Sequence, residues 1–323
     1  IYEHNTLRYI DSSFSYSHIQ NQVPGNIVSQ RIIFNDTLKT TPDAQFGYIA
    51  NDYSDEGFNK LGIYSVSLKV NDTIIWNYSF QTFAFDETRY VNAHIDYAQK
   101  VNNKSIMERC YRLPGDSFSV YISQPLYNKV YNSKETHRAL LTMKDYSGNT
   151  TEVKFHFKAS LKKTPHQKWN QNYIHLKYNR PFKLKTKKIL LQLTAKSLYD
   201  DIDLKYTISK KTKGLQSAIH HIGDNTVPFN APAILSIKTN LITKQVQDKA
   251  LIVMVNSNGS YDKIGGMFKD GSVTTLIRTL GSYAVAIDTI PPTVTFQNST
   301  DTLLAADNLI FLIKDELSGL AEY

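Results

Sequence analysis

Tyr64-Ser65-Val66-Ser67-Leu68-Lys69-Val70-Asn71-Asp72-Thr73-Ile74-Ile75-Trp76 is the stretch on which the fold turns. Residues 64 to 70 alternate apolar and polar side chains strictly, the period of a strand with one buried face. Asn71-Asp72 is a two-residue hairpin signal, so Ile74-Ile75-Trp76 returns as a partner strand. Further apolar segments lie at Ile32-Ile33-Phe34, Phe46 to Ala50, Phe118 to Ile122, Ala139 to Met143 and Val153-Phe155-Phe157. The last two flank Lys144-Asp145-Tyr146-Ser147-Gly148-Asn149, which reads as a closing hairpin. Strands with one apolar face must bury it against another layer, so the expected fold is all-β, in tandem antiparallel β-sandwich modules of immunoglobulin-like type.

Between these strands, 98–109 is polar and reads as a short helix, and Leu113-Pro114-Gly115-Asp116 as a turn. Residues 1–27 show only weak alternation (Leu7, Tyr9; Phe14, Tyr16) and a breaker at Pro24-Gly25, and stay an unassigned lead-in. The first module is therefore placed at 28–158. The formal charge of +8 is not spread evenly along the chain. From Val153 to Tyr199 there are twelve Lys and Arg and no Asp or Glu, against a whole-chain balance of 37 basic and 29 acidic residues. The remainder thus carries 25 basic against 29 acidic residues, and one basic block sets the net charge of +8.

That block, at 159–188, reads as an extended linker that becomes a strand near Ile189-Leu190-Leu191. A second β-sandwich is expected over 189–287, marked by Ile202-Leu204-Tyr206-Ile208, Ile234-Leu235-Ile237, Leu251 to Val255, a Gly265-Gly266 turn and Tyr283-Val285-Ile287. Asp288-Thr289-Ile290-Pro291-Pro292 then punctuates the chain, because two prolines remove two donors and stiffen the backbone. Beyond it, 288–323 reads as the start of a further immunoglobulin-like module that is incomplete, which makes the sequence a piece of a longer polypeptide. A signal peptide is expected to have been removed from the chain or to lie outside it. The longest apolar runs, such as Leu309 to Ile313, are far shorter than a membrane-spanning helix, so no membrane span is expected. Cys110 is the only cysteine, which excludes an intrachain disulfide and a multi-cysteine zinc site.

Asn59-Lys60-Leu61-Gly62-Ile63-Tyr64-Ser65-Val66, followed by Phe85-Asp86-Glu87-Thr88-Arg89-Tyr90 and His94-Ile95-Asp96-Tyr97, resembles the non-catalytic C-terminal β-sandwich region of large bacterial envelope proteins of the lysostaphin-type (LytM-like) zinc metallopeptidase family. Ala195-Lys196-Ser197-Leu198-Tyr199-Asp200-Asp201-Ile202 with Gly281-Ser282-Tyr283 resembles the second module of the same regions. The likeness runs loosely from about Phe46 onward. It implies an accessory region of a peptidoglycan endopeptidase with a positioning or docking role, in the periplasm or at the cell surface in association with the outer membrane. The alternatives are a structural or protein-binding subunit of an envelope assembly and a carbohydrate-binding surface protein.

The zinc ligands of that family are a His-x3-Asp pair and a His-x-His pair. This chain has no His-x-His, and its one His-x3-Asp, His220-His221-Ile222-Gly223-Asp224, lies in the second β-module. Zinc is therefore expected only in an upstream catalytic domain, and the chain itself is not expected to be an enzyme or to carry a cofactor. Clustered carboxylates leave calcium open, at Asn51, Asp52, Asp55 and Glu56 or in the segment 85–97. In that segment Asp86, Glu87, Arg89, His94 and Asp96 place five ionisable groups in eleven residues, read as an internal polar network that fixes a crossing of the chain. On that reading Arg89→Ala would leave a buried carboxylate unpaired and lower thermal stability. His156, between Phe155 and Phe157, reads as an exposed side chain on the polar face of its strand. The basic block supplies the candidate ligand site: Lys162, Lys163, Trp169, Tyr173, Lys187 and Lys188 combine charge for an anionic polymer with aromatic faces for sugars. Peptidoglycan or another anionic envelope glycan is the expected partner, alongside proteins of an envelope complex. Nucleic acid is disfavoured because no nucleic-acid motif accompanies the block.

Overall fold

The computed structural model describes residues 2–3, 6–7, 16–23, 27–53, 60–122, 130–161, 172–239, 242–297, 309–315 and 317–318, with backbone alone up to 28 and at 53. They belong to two compact units, residues 1–170 and 171–323. The all-β expectation holds, with most described residues in antiparallel sheets.

The first unit is built on one six-stranded sheet, in spatial order Tyr16–Val23, Ile27–Lys39, Thr150–Lys158, Thr136–Lys144, Ser65–Val70 and Thr73–Ser79. Ile27–Lys39 runs parallel to Thr150–Lys158, and all the other pairs are antiparallel. The Asn71-Asp72 hairpin forms as the sequence predicts, with positive φ at both residues (49° and 65°), the left-handed pair that matches strand twist. The Asn71 carboxamide oxygen then accepts from the Arg138 backbone N–H at 2.9 Å, fastening the turn to the neighbouring strand.

Alternation delivers Val66, Leu68 and Val70, then Trp76 and Tyr78, then Ala139, Leu141 and Met143, to one face of this sheet. Opposite lies a layer of short pieces. Gly47–Tyr48 pairs with Glu108–Arg109, and a 3-10 turn Phe85–Tyr90 leads into helices Val91–His94 and Tyr97–Asn103. Phe118 to Ile122, expected as a strand, makes only an isolated bridge from Tyr121 to Tyr78. Its alternation is real, since Phe118 and Val120 are buried, but Asp116 takes the Phe118 N–H at 3.0 Å in place of a ladder partner. The short helix, at Tyr97–Asn103, begins one residue earlier and ends sooner than expected. Asp96 caps it by accepting from the Gln99 N–H at 3.1 Å, and Lys104 closes it in the left-handed conformation at φ 54°.

In the second unit two five-stranded antiparallel sheets face each other. One is ordered Phe182–Lys185, Ile189–Leu193, Pro228–Lys238, Ser272–Thr279, Met267–Lys269; the other Tyr206–Ser209, Ile219–Ile222, Gly281–Ile287, Ala250–Val255, Tyr261–Gly265. Leu191, Leu235, Ile237, Ile252, Tyr283 and Val285 meet between them, essentially without solvent contact. The expected Gly265-Gly266 turn is the corner where the chain leaves one sheet for the other. Gly266 sits at φ +136°, and a Cβ there would stand 2.9 Å from Val273 Cγ1 and 3.0 Å from the Thr274 carbonyl, so only glycine fits.

Ala250–Val255 reads as an unbroken apolar run because both its faces are covered. Ile252 points into the main core, while Leu251 and Val253 join a smaller cluster on the outer side with Leu215, Ile219 and Ala284. The segment 159–188, read from sequence as a linker, contributes two strands to this unit: Ile174–Leu176 pairs with Ile202–Leu204, and Phe182–Lys185 pairs with Ile189–Leu193. Their Lys-rich alternation conceals inward Phe182 and Leu184, which pack on the core. After Asp288, Thr293–Phe296 and Phe311–Lys314 form a hairpin exposed on both faces. It is tied back where the Ser318 N–H donates to Asp288 Oδ2 at 2.7 Å.

Candidate functional site

The crossing segment divides in two. Asp86 and Arg89 are exposed, and Glu87 lies at the surface, where its carboxylate accepts from the Ala84 N–H at 3.0 Å and from the Ser119 hydroxyl at 2.7 Å. Those bonds hold the Glu87 carboxyl below its ordinary range, the Ser119 hydroxyl contributing most. His94 and Asp96 turn inward, where Asp96 serves as the helix cap. The five residues are therefore divided between surface and interior, because a 3-10 turn with no buried residue carries the first three to the surface.

The cation that braces this layer is Arg109. Its guanidinium donates from Nη1 to the carbonyls of Ala93 (2.9 Å) and Ile95, and Nη2 stands 3.9 Å from Asp96 Oδ1. Arg109→Ala removes donors from buried carbonyls, so it is expected to cost about 2 kcal/mol and lower Tm by about 5 °C. Arg89→Ala, at an exposed position, is expected to stay within about 0.5 kcal/mol. A thermal melt that ranks the two variants the other way would reject this assignment.

The inward half belongs to a cluster centred on Glu108, which the sequence reading did not single out. Its carboxylate accepts from the Tyr48 and Tyr78 hydroxyls and from His94 Nε2 at 3.1 Å. His94 Nδ1 meets the Tyr121 hydroxyl at 3.2 Å, and that hydroxyl donates to Asp116 Oδ2 at 2.7 Å. Both ring nitrogens of His94 are thus engaged, one by the Glu108 carboxylate and the other by the Tyr121 hydroxyl. Burial pushes the Glu108 carboxyl up, but the His94 bond and charge with the two tyrosine bonds outweigh it and leave it below its ordinary range. Asp116, with weaker compensation, is raised by burial. Burial likewise raises the three tyrosine hydroxyls well above their usual range. The donors and acceptors at the centre of this cluster answer one another, so it works as a brace that joins the sheet (Tyr78), the two-residue ladder (Tyr48, Glu108), the helix (His94) and the 116–121 loop. A two-residue ladder has no period to read, which is why Glu108 and Arg109 passed as part of a polar helix.

Tyr48 also borders a sizeable opening in the unit. A cleft of about 790 Å³ lies between the sheet and the cover layer. Its walls are apolar, from Ile32, Phe34, Leu141, Met143 and Phe155 on the sheet side to Ile63 and Met107 on the other. Gln30, Asn51, Asp52, Lys144 and Asn149 stand among the polar residues of its lining. Cys110 borders it too, but burial first and the Glu108 charge second push its thiol up, so it is held protonated and unreactive. Volume and lining match those of small-ligand sites. Asp55 and Glu56, expected to complete an acidic loop with Asn51 and Asp52, lie outside the described residues.

Of the candidate glycan-binding residues, Lys162, Lys163 and Trp169 lie outside the described residues. Tyr173 stands beside the strand Ile174–Leu176, with Lys205 Nζ 6.0 Å from its ring centroid. Lys187 and Lys188 occupy the turn between Phe182–Lys185 and Ile189–Leu193, in a different sheet. The His-x3-Asp pair does not converge either. His220 is buried against the Tyr206 hydroxyl at 2.9 Å, whereas Asp224 is exposed and accepts from the Thr226 N–H. His156 is exposed on the polar face of its strand, as read.

The second sandwich, from Ile174 to Ile287, has a counterpart among known families. Residues 173–288 match the model of the Zu5-like domain. The match covers about a third of the chain and begins and ends with the strands of the second sandwich. It includes Tyr173 to Lys188, in keeping with the strands found there. Among curated proteins no match to the chain is found.

Proposed function

We propose that this chain is a non-catalytic binding region that docks and positions a partner in the bacterial envelope through the cleft of its first unit. The observation that carries the reading is the cleft itself: about 790 Å³, walled by aliphatic and aromatic side chains, with polar groups at its borders and a thiol held protonated. Such a lining suits an apolar body whose polar ends remain outside. It offers a reacting substrate no activated nucleophile. The resemblance of residues 59–97 to the region downstream of lysostaphin-type peptidase domains supports an envelope partner, with peptidoglycan as the matrix and zinc confined to an upstream domain. The same resemblance supports a periplasmic or cell-surface location.

Ala50 borders the cleft and is only partly buried, so Ala50→Trp fills the space at small cost to the core. Wild type is expected to be retained on purified peptidoglycan sacculi and the filled variant to be released, at unchanged Tm. Equal retention of the two proteins would remove the cleft from the proposal, and no retention of either would remove the matrix.

A further inference from the structure

The sheet ordered Phe182–Lys185, Ile189–Leu193, Pro228–Lys238, Ser272–Thr279, Met267–Lys269 has an outer face whose composition its register makes legible. Lys183 is opposite Gln192, Gln192 opposite Ile234, and Ile234 opposite Leu276. In the adjoining row Lys185 is opposite Leu190, Leu190 opposite Ser236, Ser236 opposite Thr274, and Thr274 opposite Met267. Lys238, Ser272 and Lys269 form a third row, and Arg278 lies beyond Leu276 at the other end. Inner neighbours such as Leu191, Leu235 and Ile277 are fully buried, so these side chains point away from the core.

Two features of the face select its partner. Ile234, Leu276 and Met267 are 40%, 57% and 73% exposed, an aliphatic band across the middle of the sheet. Around that band stand five exposed cations: Lys183 and Lys185 along one edge, Lys238 and Lys269 at one end, Arg278 at the other. Among the described residues none of these outward positions carries a carboxylate, the nearest in sequence being Asp270 in the turn that follows Lys269. Five like charges repel a second copy of the same face. Aliphatic side chains offer no stacking surface for bases or sugar rings, which sets the face apart from a nucleic-acid or glycan platform. A basic rim around an aliphatic centre is complementary to anionic headgroups over acyl chains.

We propose that this face of the second unit docks onto an anionic lipid surface, the lysines and Arg278 meeting headgroup phosphates while Leu276, Ile234 and Met267 enter the interface. The contact is peripheral. Among the described residues no helix is long and apolar enough to cross a membrane.

Sedimentation of the whole chain with vesicles of phosphatidylcholine, alone or mixed with phosphatidylglycerol, tests it. Binding is expected only to the mixed vesicles and to weaken as salt is raised. Each lysine neutralised is expected to lower the partition coefficient about fivefold. K183Q/K185Q should therefore reduce it on the order of 25-fold at unchanged Tm. Leu276→Ser should weaken binding as well, since it removes the inserted group and leaves the charge. K210Q/K211Q, at exposed positions outside this face, should leave partition as it was. Equal partition into both vesicle types would overturn the proposal, as would an equal loss in K210Q/K211Q or binding indifferent to Leu276→Ser. Because the cleft lies in the other unit, Ala50→Trp should bind these vesicles like wild type.

Discussion

Glu108→Ala is expected to destabilise the first unit by about 4 kcal/mol, because it leaves the His94 ring and two tyrosine hydroxyls without their shared partner inside the protein. For a unit of this size that corresponds to a Tm lower by roughly 10 °C. Glu108→Gln keeps an acceptor for the tyrosines and loses the charge opposite His94, so it should fall between the two. The pH dependence follows from the lowered Glu108 carboxyl. Its contribution is complete above the ordinary value of 4.5 and is lost as pH falls through the lower folded value. Asp116 acts in the opposite sense: burial raises its carboxyl above 3.8, so its cost is felt at higher pH and relieved on acidification. Replacing Glu108 with Gln should therefore flatten or invert the acid limb of the first unit's melting curve. An acid limb identical to wild type would show that the carboxylate bears no load.

The second unit is expected to weaken earlier on acidification, through His220. Burial chiefly, then the Lys188 and His221 charges, lower its imidazole from 6.5 to about 4. The folded unit holds the neutral ring, so stability is complete above pH 6.5 and is lost as pH falls toward 4. The loss is on the order of 3 kcal/mol if the whole shift is expressed. His220→Phe keeps a ring in the pocket beside Tyr206 and removes the titration. Calorimetry of the whole chain between neutral and acid pH should show the second transition of wild type moving down through this window and that of the variant staying put. Parallel movement of the two would assign the acid sensitivity elsewhere.

Much of the architecture could be read from alternation. The strands at 64–70 and 139–143, the Asn71-Asp72 hairpin and the Gly265-Gly266 corner all stand where their residues place them, because each buries one side per two residues or needs a special backbone. Reading failed where an element is too short to have a period. Gly47–Tyr48 and Glu108–Arg109 are two residues each, yet they carry Tyr48, Glu108 and Arg109, which brace the cover layer. It failed also where charge masked alternation, as in Phe182-Lys183-Leu184-Lys185, whose lysines suggested a linker while its apolar partners were filling a core. Ionisable density proved a poor guide to burial. Asp86 and Arg89 sit in the most charged part of the crossing segment and face solvent, whereas the carboxylate at the centre lies between Met107 and Cys110.

The side-by-side alignment of Ile27–Lys39 with Thr150–Lys158 also governs how the first unit comes into being. Synthesis proceeds from the amino end, so the early strand must wait for more than a hundred further residues before its inner neighbour exists. Until then only the Tyr16–Val23 strand is at hand for it, and a two-stranded ribbon alone is marginal in water. Assembly is thereby tied to a late, long-range closure that slows folding and leaves one strand's edge open to wrong partners in a growing chain.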